Sequence, residues 1–178
     1  MALIFWRILF GPGDLVAIFP IRTFGDPVLS IKTKPVKRFD DPLRRLSEDM
    51  IETMYEAPGV GLAAPQIGVA KRMFVFDVGD GPEIMVNPKL VESSGAWEYQ
   101  EGCLSVPGHY FLISRPAFAR AIGQDLDGQP IEFAGDELLG RVLQHEIDHL
   151  DGRLLLTRLP PAQRSEVYSE LQNPPSAR

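Results

Sequence analysis

Between Leu43 and Met54 the apolar residues Leu43, Leu46, Met50 and Met54 fall at steps of three, four and four, on one face of a helix. Asp41 followed by Pro42 reads as an N-cap with proline at the first helical position, and Pro58-Gly59 stops the element. A second helix is predicted from Asp136 to Leu150, ended by Asp151-Gly152. A third, weaker one follows Pro160 and Pro161, and the tail after it is expected to fray. Between the first two helices the pattern becomes that of strands. Residues 72–78 are rich in β-favouring side chains and end in the turn Gly79-Asp80-Gly81-Pro82. Further extended stretches are read at 83–91, 95–106, 111–114, 117–122 and 130–133, the last two joined by an Asp127-Gly128 turn. Strands held between separated helices predict an α+β domain with small antiparallel sheets.

The first ten residues break this pattern: they are apolar throughout except for Arg7, and Gly11-Pro12-Gly13 separates them from the rest. A membrane-spanning helix needs about 20 apolar residues, so no stable membrane span is expected. Residues 1–16 are read as an apolar appendage outside the fold, with a peripheral membrane anchor as the alternative. The catalytic domain is assigned to 17–160, and 161–178 to a short helix and tail. The chain has 178 residues, 44% hydrophobic and 24% charged, which suits one globular domain. Its net charge of -6 argues against direct nucleic-acid binding through phosphate neutralisation. A single cysteine excludes an internal disulfide and demands another explanation.

The chemistry begins at Gln144-His145-Glu146-Ile147-Asp148-His149, an H-E-x-x-H on a predicted helix. Histidines at i and i+4 project from one helical face, so two imidazole nitrogens can converge on one metal. The glutamate between them lies near enough to take a proton from a water at the open position. Catalytic sites of this kind use three protein ligands, and Cys103, in EGCLSVPG, is the candidate third. Buried small hydrophobe is the other role open to a lone cysteine. Leu138 and Val142 precede His145 on the same face and suit either a pocket wall or ordinary core. In GVGLAAPQ (59–66), the glycines let backbone pass close to another group, and Gln66 could donate to a developing oxyanion. Asp148, beside His149, needs a compensating cation if it is buried, and Arg115 is the candidate.

GVGLAAPQ, EGCLS and QHEIDH, in that order, resemble the three signature motifs of the peptide deformylases, and FGDPVL near the start extends the likeness over residues 18–156. The resemblance implies a hydrolase that removes the formyl group from N-formylmethionine at the start of new proteins, releasing formate. It implies Cys103, His145 and His149 as metal ligands and Glu146 as general acid and base. Gln66 and the Leu104 N–H would hold the oxyanion, Gly61 would bond the formyl group or substrate backbone, and Val60, Leu138, Val142 and His145 would line the methionine pocket. The ion would be one Fe(II) per chain, exchangeable for zinc, nickel or cobalt. The compartment would be cytoplasmic, with transient ribosome proximity. Two departures stand out: several relatives carry arginine where this chain has Tyr110, and the long basic C-terminal helix of some relatives is missing. His109 reads as a solvated loop residue. Three other readings stay open on residues alone: a zinc endopeptidase using Glu166 or Glu170 in place of Cys103, a metal-stapled binding module, and a Cys103–His nucleophilic hydrolase.

Overall fold

The computed structural model describes residues 16–172, so the predicted appendage and the fraying tail lie outside the described residues. Three α-helices are present among them: α1 (Asp41–Glu56), α2 (Glu137–Leu150) and α3 (Pro161–Gln172). Seven strands accompany them: β1 (Gly61–Ala63), β2 (Met73–Phe76), β3 (Glu83–Ser94), β4 (Trp97–Gly102), β5 (Tyr110–Arg115), β6 (Phe118–Gln124) and β7 (Pro130–Gly135). The architecture is α+β, as the alternation of patterns predicts. An antiparallel five-stranded sheet runs in the order β1-β2-β3-β6-β7, and β4 with β5 forms a separate two-stranded sheet.

Two local expectations need correction. The first helix is capped one residue earlier than expected: the Asp40 carboxylate accepts from the Leu43 N–H, and Asp41 is already helical. The extended stretch expected over 95–106 ends at Gly102. From Cys103 the chain turns, with Val106 N–H donating to the Cys103 carbonyl at 2.9 Å. That turn lifts Cys103 out of strand alternation and leaves it facing α2.

The helix α2 packs on the five-stranded sheet, touching β1, β3, β6 and β7, and its polar side chains bond to β4 and β5. Its apolar residues Val142, Leu143, Ile147 and Leu150 join Ala63, Phe74, Phe76, Met85 and Ala121 in one core. A second core lies under α1, formed by Leu43, Met50, Ile51 and Met54 with Leu62, Met73 and Val75. A third gathers β5 and α3: Val167, with Tyr168 and Leu171 beside it, packs on Phe111, Ile113 and Leu156. At Gly140 the helix backbone rests directly on the sheet, where an added Cβ would lie 2.6 Å from the Gly135 carbonyl and 2.8 Å from that of Ala117. The far end is tied as well. Thr33 donates through both its N–H and its hydroxyl to the Leu150 carbonyl, and Arg72 pairs with Asp151 at 2.8 Å.

Candidate active site and metal centre

Cys103, His145 and His149 bring their ligating atoms within 4.8 Å of one another. His149 Nε2 lies 3.2 Å from Cys103 Sγ and 3.2 Å from His145 Nε2. Burial, and then the charge of His145, holds the His149 pKa well below the ordinary imidazole value, so it offers a lone pair. His145 moves the other way: burial opposes its charge, but hydrogen bonds to Cys103 and Glu101 outweigh it and raise its pKa. Two imidazole nitrogens and a sulfur aimed at one point suit a borderline divalent metal, so the residues present fit such an ion. Glu166 and Glu170 are exposed on α3 and take no part in this cluster, which removes the endopeptidase ligand set.

Glu146 lies on the same helix, 3% exposed, and its Oε2 meets no hydrogen-bond partner among the described residues. Burial pushes its pKa up to about 7, despite the cations His145 and Arg115. That value suits a group that must take and return a proton near neutrality. Gly61 opens β1 directly opposite, where a Cβ would collide with Glu146 Oε1. The GVGLAAPQ segment is thus a short strand followed by a 3-10 turn over Ala64–Ile67, and it presents bare backbone to the carboxylate. Gln66 is oriented by its own turn: its Oε1 accepts from the Ala63 N–H at 2.8 Å. Its Nε2 then points to Ser105 Oγ at 3.2 Å, with Cys103 Sγ at 3.9 Å. Leu104 follows Cys103 with its side chain against Gly59.

A buried charge network backs the two histidines. Strand alternation turns Phe111, Ile113 and Arg115 of β5 inward, and Arg115 is 2% exposed. It donates to Asp148 Oδ2 at 2.7 Å, as the sequence predicts, and also through Nε and Nη2 to both oxygens of Glu101. Glu101 Oε1 in turn accepts from His145 Nδ1 at 2.7 Å, fixing the ring so that Nε2 faces the cluster. Burial would raise the Glu101 pKa, but Arg115 and His145 hold it well below the usual carboxylate range. Arg158 closes the other side of Asp148 with two further bonds. Sequence reading missed Glu101, Arg141 and Arg158. Glu101 left no periodic signal: it is the one buried residue of β4, whose burial does not alternate.

A cavity of about 380 Å³ opens at this cluster. Val60, Leu138, Val142, His145 and Glu146 line it, together with Gln66, Cys103, Leu104 and, unforeseen, Tyr99 and Arg141. Tyr110 and His109 stand at its rim. The Tyr110 ring covers Gly102 while remaining 68% exposed, and His109 stacks on Phe111.

Residues 18–165 match the family model described as polypeptide deformylase. A peptide deformylase of Agathobacter rectalis is 46% identical over 88% of this chain and 99% of its own length. One from Acidothermus cellulolyticus is 51% identical over 84% of this chain and 83% of its own. Among solved structures, a peptide deformylase from Legionella pneumophila aligns with a TM-score of 0.83 at 43% identity, covering 88% of this chain and 94% of that one. One from Synechococcus elongatus, in complex with actinonin, aligns at 0.81 and 34% identity, covering 89% and 95%.

Proposed function

The chain belongs to the peptide deformylase family, and from that premise we propose how its own residues carry the family's reaction. It is a metal-dependent hydrolase that removes the formyl group from the N-terminus of nascent proteins. In our reading Cys103, His145 and His149 hold one ion per chain, Fe(II), which zinc, nickel or cobalt can replace. Once bound, the ion supplies Lewis acidity and lowers the pKa of water.

Everything else falls to the protein. Glu146 Oε2 takes the proton from the attacking water and delivers it to the departing amine, freeing formate. Gln66 Nε2 and the Leu104 N–H donate to the carbonyl oxygen as its charge grows. Gly61 brings its backbone to the formyl group, its missing side chain leaving Glu146 undisturbed. Val60, Leu138 and Val142, with His145, receive the methionine side chain. The observation that carries this reading is the unpartnered, buried Glu146 carboxylate beside three converging metal-type donors at one cavity. Formate release from formyl-methionyl peptides tests it. Activity is expected to vanish on chelation and return with Fe(II), Ni(II) or Co(II), and full activity in metal-free protein would overturn it.

Among the described residues no helix is long and apolar enough to cross a membrane. We place the enzyme in the cytoplasm, in transient proximity to the ribosome that supplies its substrate. Deleting residues 1–16 is expected to leave kcat/KM unchanged, which an activity assay on the truncated chain checks.

A further inference from the structure

Half of the chain's cations line two adjoining grooves of about 620 and 720 Å³, which share Pro35 and are walled largely by residues 32–38, 70–72 and 87–90. Nine of the 18 lysines and arginines are there, against three carboxylates. Each of the three is already paired: Asp40 with Arg38, Asp151 with Arg72 and Asp148 with Arg158. That leaves Lys32, Lys34, Lys37, Lys71, Lys89 and Arg153 in no ion pair among the described residues. The backbone holds them together. Thr33 is buried on the Leu150 carbonyl, so Lys32 and Lys34 on either side of it are exposed, and a β-bridge ties Lys34 to Lys71. Gathering unpaired cations on one face costs self-repulsion, which an anionic partner would relieve. The helix α2 reaches the first groove through Gln144, Ile147 and Asp148, whereas Val142, His145 and Glu146 line the active-site cavity. None of the described residues lines both.

We propose that this face docks the enzyme on the phosphate backbone of double-helical RNA, the polyanion that a ribosome presents where a new chain is made. The choice of RNA rests on the deformylase reading above, since that substrate is a nascent protein. A net charge of -6 argues against nucleic acid only as a mean over the surface, and binding follows the local field. A membrane surface calls for apolar side chains beside the cations, and none of the exposed large hydrophobic residues described lines either groove. No aromatic ring lines them either, so bases find no stacking platform. Recognition therefore falls on phosphates, without choice of sequence. Docking through these grooves leaves the residues of the active-site cavity free to receive the peptide.

A fluorescein-labelled RNA duplex titrated with the metal-loaded enzyme, read by anisotropy, tests this. Affinity should fall roughly 1,000-fold as salt rises from about 50 to about 200 mM, and duplexes of unrelated sequence should bind alike. Lys32→Glu with Lys37→Glu reverses one exposed cation in each groove and should weaken binding at least about tenfold at the lower salt. Arg45→Glu with Arg164→Glu makes the same change in net charge outside the grooves and should weaken it no more than about twofold. In both double variants kcat/KM on formyl-methionyl peptides should match wild type, which also reports that they fold. Equal losses of affinity in the two variants overturn the proposal, as does binding that the groove pair leaves unchanged. Tighter binding to single-stranded RNA than to duplex overturns it too, as does capture by phosphatidylglycerol vesicles with no binding to RNA. Normal formate release without duplex binding refutes the docking face alone, whereas duplex binding without formate release refutes the deformylase reading instead.

Discussion

The helix α2 presents two regions that treat polar groups in opposite ways. In one region, Arg141 Nε, Glu146 Oε2 and His149 Nδ1 are buried with no hydrogen-bond partner among the described residues. On its other flank, every oxygen of Asp148, and of Glu101 across the gap, is taken by arginine or histidine. Glu146 and Asp148 are two residues apart in sequence, yet burial pushes the first up to about 7 while two arginines grip the second. Burial alone does not decide what a carboxylate does. A paired one gives rigidity, and an unpaired one gives a movable proton, provided that rigid neighbours hold it in place.

The largest expected effect breaks the unpaired side. Glu146→Gln should lower kcat by about 1,000-fold or more while metal content stays at one ion per chain, checked by steady-state kinetics and elemental analysis. Loss of the metal would make Glu146 a ligand instead of a base. The paired side should break differently. Arg115→Ala removes the cation that Glu101 and Asp148 share, leaving Glu101 to Arg141 and His145 and Asp148 to Arg158, and is expected to cost roughly 3–5 kcal/mol in urea unfolding. Metal affinity should fall about 10- to 100-fold as His145 loses its orientation. A variant within about 0.5 kcal/mol of wild type would mean the network carries no stability.

A subtler change pushes one region into the other. Gly61→Ala places a methyl against Glu146 Oε1, whose side chain can swing away. It should lower kcat by about 100-fold with little change in unfolding free energy. The smallest effect comes from a half-exposed pair that serves as a contrast to both. Tyr55 donates to Asp77 Oδ2 at 2.6 Å, and Asp77 N–H bonds the Val60 carbonyl at 3.0 Å. Burial tends to raise the Asp77 pKa, but Tyr55 and the Gly79 and Gly81 N–H groups outweigh it and lower it. A lowered carboxylate pKa contributes stability above its unfolded value and loses it as pH falls through the folded one. Tyr55→Phe should therefore cost about 1 kcal/mol at neutral pH, and the gap should close in acid. Unfolding curves at several pH values would show it.

Much of this was legible in the sequence because it depends on short-range periodicity. The i, i+4 histidines and the apolar face of α1 follow from counting along one element, while Arg115 was reached through the need of a buried Asp148 for a cation. Cys103 was harder. Its sequence reads as strand, and only the turn back to Val106 turns its sulfur toward α2. Arg141 was hidden by its type: a cation at a pocket position reads as solvated surface until β4 and β5 supply Glu101 and two carbonyls to receive it. The 3-10 turn that aims Gln66 was equally hidden, since it depends on a bond from Ala63 inside a segment with no clear period.

The bare backbone contact at Gly140 limits how this enzyme can change over generations. Gly140 admits no side chain, Gln144 is held to the Pro116 carbonyl, and Asp148 is gripped by two arginines. In the proposed mechanism 145, 146 and 149 are committed to chemistry, which leaves Leu138, Arg141 and Val142 as the other α2 positions that line the cavity. Under that reading, adaptation to another first residue, or escape from a compound that fills the pocket, can draw on those three positions and on lining residues outside α2 such as Val60, Tyr99 and Tyr110.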